Sequence, residues 1–154
     1  MDIKRIVVPV DYSDHAKETL RYAGALAARF GARLDVVHVW DRPSYVPETT
    51  MVSKPGEPAR SLVELIRENA EREMSEFLAS AALPESVETA TRLESGEPAS
   101  TIIEYVRKHE ADLVVMGTRG RTGVKHLLLG SVAEKLVRLS PVPVLTIPVA
   151  RGDE

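Results

Sequence analysis

Between Gly117 and Ser131 the chain reads Gly-Thr-Arg-Gly-Arg-Thr-Gly-Val-Lys-His-Leu-Leu-Leu-Gly-Ser, a stretch that holds four of its nine glycines. From Leu113 to Ala133 there are three basic residues (Arg119, Arg121, Lys125), His126 and no carboxylate. Glycine lets a backbone approach another group closely, because no Cβ stands in the way. If a helix opens at Gly130-Ser131, its first N–H groups have no intrahelical acceptor and favour an anion. The chemistry this segment suits is a phosphate cradle built mostly from main-chain amides. It is not a P-loop, since no G-x-x-x-x-G-K-[ST] occurs, and no G-x-G-x-x-G follows the first apolar run. After that run the chain has Val10-Asp11-Tyr12-Ser13, with no glycine before Gly24.

Alternating segments must position the cradle. Ile3 to Val10 is short and β-branched and reads as a buried strand. Asp14 to Phe30 puts Ala16, Leu20, Ala23, Ala27 and Phe30 on one helix face, with Ser13 or Asp14 as N-cap and Gly31 after the end. Arg33 to Trp40 is a second strand, Ala59 to Ala81 a second helix, and Val87 to Leu93 a weaker third strand. Ala99 to His109 is a helix, with His109 at its C-terminal dipole. Ala111 to Gly117 is an apolar fourth strand, Ser131 to Leu139 a helix, and Val142 to Val149 a fifth strand. Gly56-Glu57-Pro58-Ala59 and Gly96-Glu97-Pro98-Ala99 read as two similar helix starts.

Strands separated by helices run parallel, with right-handed crossovers. The expectation is one α/β domain over residues 1–154, an open doubly wound five-stranded parallel sheet in the order 3-2-1-4-5 with helices on both faces. Such sheets bind ligands beyond the carboxyl ends of their strands, where strand order reverses. Here that point lies between strands one and four, at Pro9-Val10-Asp11 and Val115-Met116-Gly117. Residues 41–58 hold four of the ten prolines and read as a flexible loop, either a lid or plain surface. The fifth strand is apolar and placed at the sheet edge, where Pro143 and Pro148 limit open-ended pairing. A two-fold copy of itself would cover it.

With these residues in place, the sequence resembles the universal stress protein family, in the branch that carries G-x2-G-x9-G-[ST]. Gly117, Gly120, Gly130 and Ser131 match that spacing. VPVD before Ser13, His38-Val39 and the closing Pro-Val-Pro-Val-Leu agree as well. The resemblance spans essentially the whole chain. It implies a fold of the adenine-nucleotide alpha-hydrolase kind, an ATP site, Mg²⁺ on the phosphates, and a homodimer through 142–149. It places Gly117 and Gly120 near the ribose and phosphates, and Gly130, Ser131 and Val132 at the phosphate tail. Pro9, Val10 and Asp11 would frame base and ribose, Val39 and Met116 would line the adenine, and Arg119 would reach the phosphates.

Other chemistry is disfavoured by what is missing. The chain has no cysteine, which excludes disulfides and thiolate metal sites and fits a reducing cytoplasm. His15, His38, His109 and His126 lack metal-ligand spacing, and His38 reads as packed at the end of its strand. Ser13 reads as a cap rather than a nucleophile. Trp40 is expected to pack under the loop that follows it, and the Glu64–Glu76 run to be a solvated helix face. A net charge of −3 gives no bulk attraction to nucleic acid or acidic membrane, and no apolar run is long enough to span a bilayer. The reading is a nucleotide-dependent regulatory factor with an unidentified protein partner. Hydrolysis would be slow or nil, for want of a Walker-type lysine or a clear base. Two alternatives stay open: a dimeric module that binds no nucleotide, and an ATP pyrophosphatase-type enzyme, whose S-G-G-x-D-S loop is absent.

Overall fold

The computed structural model describes residues 2–40, 47–118 and 129–149. In chain order they form β1 (Arg5–Pro9), α1 (Asp14–Phe30), β2 (Arg33–Trp40), β3 (Met51–Val52), β4 (Arg60–Ser61), α2 (Leu62–Ala81), β5 (Thr89–Ser95), α3 (Pro98–Lys108), β6 (Leu113–Gly117), α4 (Ser131–Leu139) and β7 (Val144–Ile147). Five strands form one sheet in the order β5-β2-β1-β6-β7, and every pairing within it is parallel. This is the 3-2-1-4-5 order expected from sequence, with strand order reversing between β1 and β6.

Strand alternation divides the core. Ile6, Val8, Leu34, Val36 and Val115 pack with Leu20, Ala23, Ala27, Met74 and Phe77, on the face covered by α1 and α2. Val7, Val37, Val114 and Met116 pack with Ile102, Tyr105, Val106 and Leu136, under α3 and α4. Ile6, Leu20, Leu34 and Leu136 are wholly buried, each contributing about 1.5–3 kcal/mol of apolar burial.

Three helices begin on a side-chain cap. Ser13 accepts from the Ala16 amide at 3.1 Å, Ser61 from Glu64 at 3.4 Å, and Glu97 from Ser100 at 2.9 Å. The Ser61 cap corrects one expectation, because α2 starts at Leu62 rather than Ala59. Ser61 and Glu64 have capping-box spacing, and Arg60–Ser61 instead pairs antiparallel with Met51–Val52. Gly56-Glu57-Pro58-Ala59 is therefore no helix start, whereas Glu97-Pro98 is one. The third main strand runs Thr89–Ser95, two residues later than its expected span. Of the 41–58 loop, residues 41–46 lie outside the described set, and Met51–Val52 is extended chain rather than loop.

The Glu97 cap has a pH signature. Its carboxylate accepts from the Ser100 amide and hydroxyl, and then from Lys135, which pulls its pKa down to about 2. A depressed carboxylate contributes stability above its unfolded pKa, and loses it as pH falls through the folded value. The Tm of Glu97→Gln should therefore fall less than wild type between pH 4.5 and 2. Parallel Tm–pH curves for the two proteins would contradict this cap.

Candidate functional site

The β1 end enters the site region under tight control. The Val10 amide donates to Val37 O at 2.9 Å, continuing the ladder one residue past the strand. His38 Nδ1 lies 2.8 Å from Val10 O, and a carbonyl only accepts, so Nδ1 carries the proton. Asp11 then turns its carboxylate back onto the chain. Its Oδ1 accepts from the Ser13 hydroxyl at 2.6 Å and the Ser13 amide at 3.1 Å. Its Oδ2 is buried and has no partner among the described residues. Tyr12 has φ +63°, stacks on His38 at 4.2 Å and packs on Phe77 at 5.3 Å. Burial, with Glu73 nearby, raises the Tyr12 phenol above its ordinary pKa.

From the other side come β6 and α4. The Thr118 amide donates to Ile147 O at 3.0 Å, and the Gly130 amide to Thr118 O at 2.7 Å. Thr118 and Gly130 are thus held side by side. These bonds narrow the expected amide cradle, since the Thr118 and Gly130 donors are already used. Among the described residues, the first turn of α4 keeps free donors. Gly130 is its N-cap and brings no side-chain hydrogen bond. The amides of Ser131, Val132 and Ala133 have no acceptor within the helix. Of the four helices among the described residues, this is the one without a side-chain cap.

Both ends meet in one crevice of about 270 Å³. Pro9, Val10, Asp11, Val39, Met116, Gly117, Gly130, Ser131 and Val132 all line it. Arg119 and Gly120, also expected here, lie outside the described residues, as do Arg121, Lys125 and His126. Sequence reasoning missed Pro98 and Ile102 of α3, together with Val37, His38, Thr118 and Ala133. Pro98 was within reach. It begins the helix that leaves the carboxyl end of β5, the end of the sheet to which the crevice was assigned. Trp40 is not among the lining residues and instead borders a recess with Val63, Met74 and Leu93. The loop it was expected to pack under extends over residues outside the described set.

Gly117 has a reason of its own to be glycine. A Cβ there would lie 2.6 Å from His15 Nε2 and 2.7 Å from His15 Cδ2. The first turn of α1 thus closes on the end of β6, and both His15 ring nitrogens are buried without partners among the described residues. No group of three His, Asp or Glu among the described residues is placed to hold a metal ion.

This crevice, on this sheet order, can be set beside known proteins. A model of the universal stress protein family matches residues 2–148. The chain belongs to that family. A universal stress protein from Methanocaldococcus jannaschii is 37% identical over 94% of this chain and 81% of its own. The solved UspA of Lactobacillus plantarum has TM-score 0.69 at 28% identity, over 96% of this chain and 99% of its own. A universal stress protein from Archaeoglobus fulgidus, solved in complex with dAMP, shares the fold at TM-score 0.61 and 23% identity, over 96% of this chain and 99% of its own. As a universal stress protein, the chain has among its described residues no helix long and apolar enough to cross a membrane.

Proposed function

We propose that this universal stress protein binds an adenine nucleotide, ATP with Mg²⁺, in the crevice between β1 and β6, and that it acts as a nucleotide-dependent regulatory factor in the cytoplasm. One observation carries the reading. The uncapped start of α4 lines the same crevice as Asp11, whose Oδ2 is buried without a partner among the described residues. Buried polar atoms without partners are rare in native folds, and an uncapped helix start favours an anion. A ligand with hydroxyls at one place and a phosphate at another satisfies both.

The rest of the lining fits such a ligand. Val37, Val39, Ile102 and Met116 give an apolar wall for a base. Ser131, Val132 and Ala133 would hold phosphate through their amides, with the Ser131 hydroxyl beside them. The dAMP held by the Archaeoglobus relative supports the ligand class. Mg²⁺ would ride on the phosphate oxygens, which supply the hard ligands it prefers. When bound, it would neutralise phosphate charge. Any hydrolysis would be slow.

The same reading makes the protein a homodimer through the 142–149 segment. β7 is a sheet edge, with Leu145 on it and Pro143 just before it exposed, and Val137 and Leu139 of α4 are exposed as well.

The test is to denature freshly purified protein and identify released nucleotide by mass spectrometry. Calorimetric titration of ATP and adenosine into wild type and Gly130→Val then locates the site. Gly130 has φ −68° and ψ 159°, which any residue adopts. The valine therefore leaves the backbone unstrained and obstructs the phosphates. ATP affinity should fall at least about tenfold, the worth of one or two charge-assisted hydrogen bonds, while adenosine affinity changes little. Equal ATP binding by both proteins would place the phosphates elsewhere.

A further inference from the structure

We propose that Tyr12 is a positioning residue that holds the Asp11 carboxylate toward the nucleotide, an inference that rests on the function proposed above. The turn from β1 to α1 needs a left-handed residue at position 12, where φ is +63°. Glycine takes that conformation freely, while a bulky residue there is an outlier that its surroundings must hold. What holds it is a stack. The phenol ring lies 4.2 Å from the His38 ring at 29° between planes, and its other neighbour is Phe77 of α2. The hydroxyl is not what the residue is kept for, because it is buried without a partner among the described residues.

The stack reaches Asp11 from both directions along the chain. His38 is tied through Nδ1–H to Val10 O, the residue before Asp11. Tyr12 follows it, and Ser13 donates twice to Asp11 Oδ1. Val10, Tyr12 and Ser13 are each fixed, so the Asp11 side chain, which lines the crevice, has one oxygen committed and the other buried without a partner among the described residues. Without the ring, the bonds to Val10 still hold the end of β1, but on the far side of Asp11 only the Ser13 bonds remain. Asp11 then spreads over several rotamers, and the ligand must order it on binding, which weakens affinity.

Three substitutions separate this role from packing. Tyr12→Phe keeps the ring and should bind ATP as wild type does. Tyr12→Gly suits the left-handed backbone but loses the stack. Its Tm should fall through the lost packing on His38 and Phe77, and, measured well below that Tm, its ATP affinity should fall about tenfold, the scale of one misplaced hydrogen bond. Tyr12→Asn, which also tolerates that backbone, serves the same purpose if the glycine variant does not fold. The His38 ring protons report the stack independently, moving downfield in the NMR spectrum of the glycine and asparagine variants and not of the phenylalanine one. The decisive measurement is a double-mutant cycle. On an Asp11→Ala background, Tyr12→Gly should change ATP affinity less than about twofold, since nothing remains to be positioned. If the two losses multiply, or if Tyr12→Gly binds ATP as wild type does, Tyr12 does not act through Asp11. If wild type binds no nucleotide at all, the function proposed above fails, and this inference with it.

Discussion

Asp35→Ala is expected to destabilise the fold by about 3 kcal/mol without touching nucleotide binding. Asp35 is 1% exposed in the middle of β2. Its Oδ2 accepts from Tyr105 OH at 3.0 Å and sits 3.8 Å from Arg5 Nε, while Oδ1 takes Arg33 Nε at 3.2 Å. Burial, then the Asp35 charge, pushes the Tyr105 phenol up to about 12. Removing one partner from a buried charged cluster commonly costs about 3–5 kcal/mol. Arg5 and Arg33 are about one-third exposed and can turn to water, which holds the cost near the lower bound. Tyr105 has no such route, and its hydroxyl is left without an acceptor. Tyr105→Phe should cost less, about 1 kcal/mol, because Asp35 keeps both arginines. In urea, the midpoint should drop with an unchanged m-value. A loss under about 1 kcal/mol for Asp35→Ala would mean that water already reaches the cluster.

That cluster also shows where the sequence is legible and where it is not. The β-branched runs around Ile6-Val7-Val8, Val36-Val37 and Val114-Val115 announce buried parallel strands, because both of their faces are apolar. Asp35 interrupts one such run. Its partners come from β1, β2 and α3, up to 70 positions away, and no local spacing encodes that meeting. The elements that shifted did so at their ends. Ser61 captured the start of α2, and β5 took its register from β2, Leu34 to Trp40 pairing with Thr89 to Ser95. Caps and register are settled by competition between neighbours, so a hydrophobic pattern locates an element better than it bounds one.

At the crevice, the legible part is what topology dictates. The order 3-2-1-4-5 brings the ends of β1 and β6 together, so Asp11 and Gly117 have to be neighbours once the sheet is drawn. Strand order alone does not single out α3, although its Pro98 and Ile102 complete the wall. The glycines are legible as a group, while the contacts each one makes are not. Gly117 and Gly130 both line the crevice, yet the Gly130 amide bonds Thr118 O and the missing Cβ of Gly117 faces His15. In a parallel sheet alternate residues face opposite layers. Met116 turns toward α3 and α4, so the next residue's side-chain direction points at α1.

This alternation gives the second large effect. Gly117→Val should destabilise the protein by about 3 kcal/mol, the upper range for overpacking a filled site. The first added carbon already falls 2.6 Å from His15 Nε2 and 3.3 Å from Thr19 Oγ1, and valine adds two more atoms there. The ring cannot yield easily, because its nitrogens are buried and α1 is pinned nearby by the Ser13 cap and by the Thr19 hydroxyl bond to His15 O at 2.9 Å. If the clash is with His15, removing the imidazole removes most of the penalty. The double variant His15→Ala/Gly117→Val should return to within about 1 kcal/mol of His15→Ala alone, a coupling that distant sites do not show. A glycine kept for ligand approach would behave differently. Gly117→Val would then lose nucleotide affinity with its stability intact, and His15→Ala would restore nothing. Urea unfolding of the four proteins with nucleotide absent, followed by ATP titration of each, separates the two accounts. Rescue of stability assigns Gly117 to the α1–β6 contact.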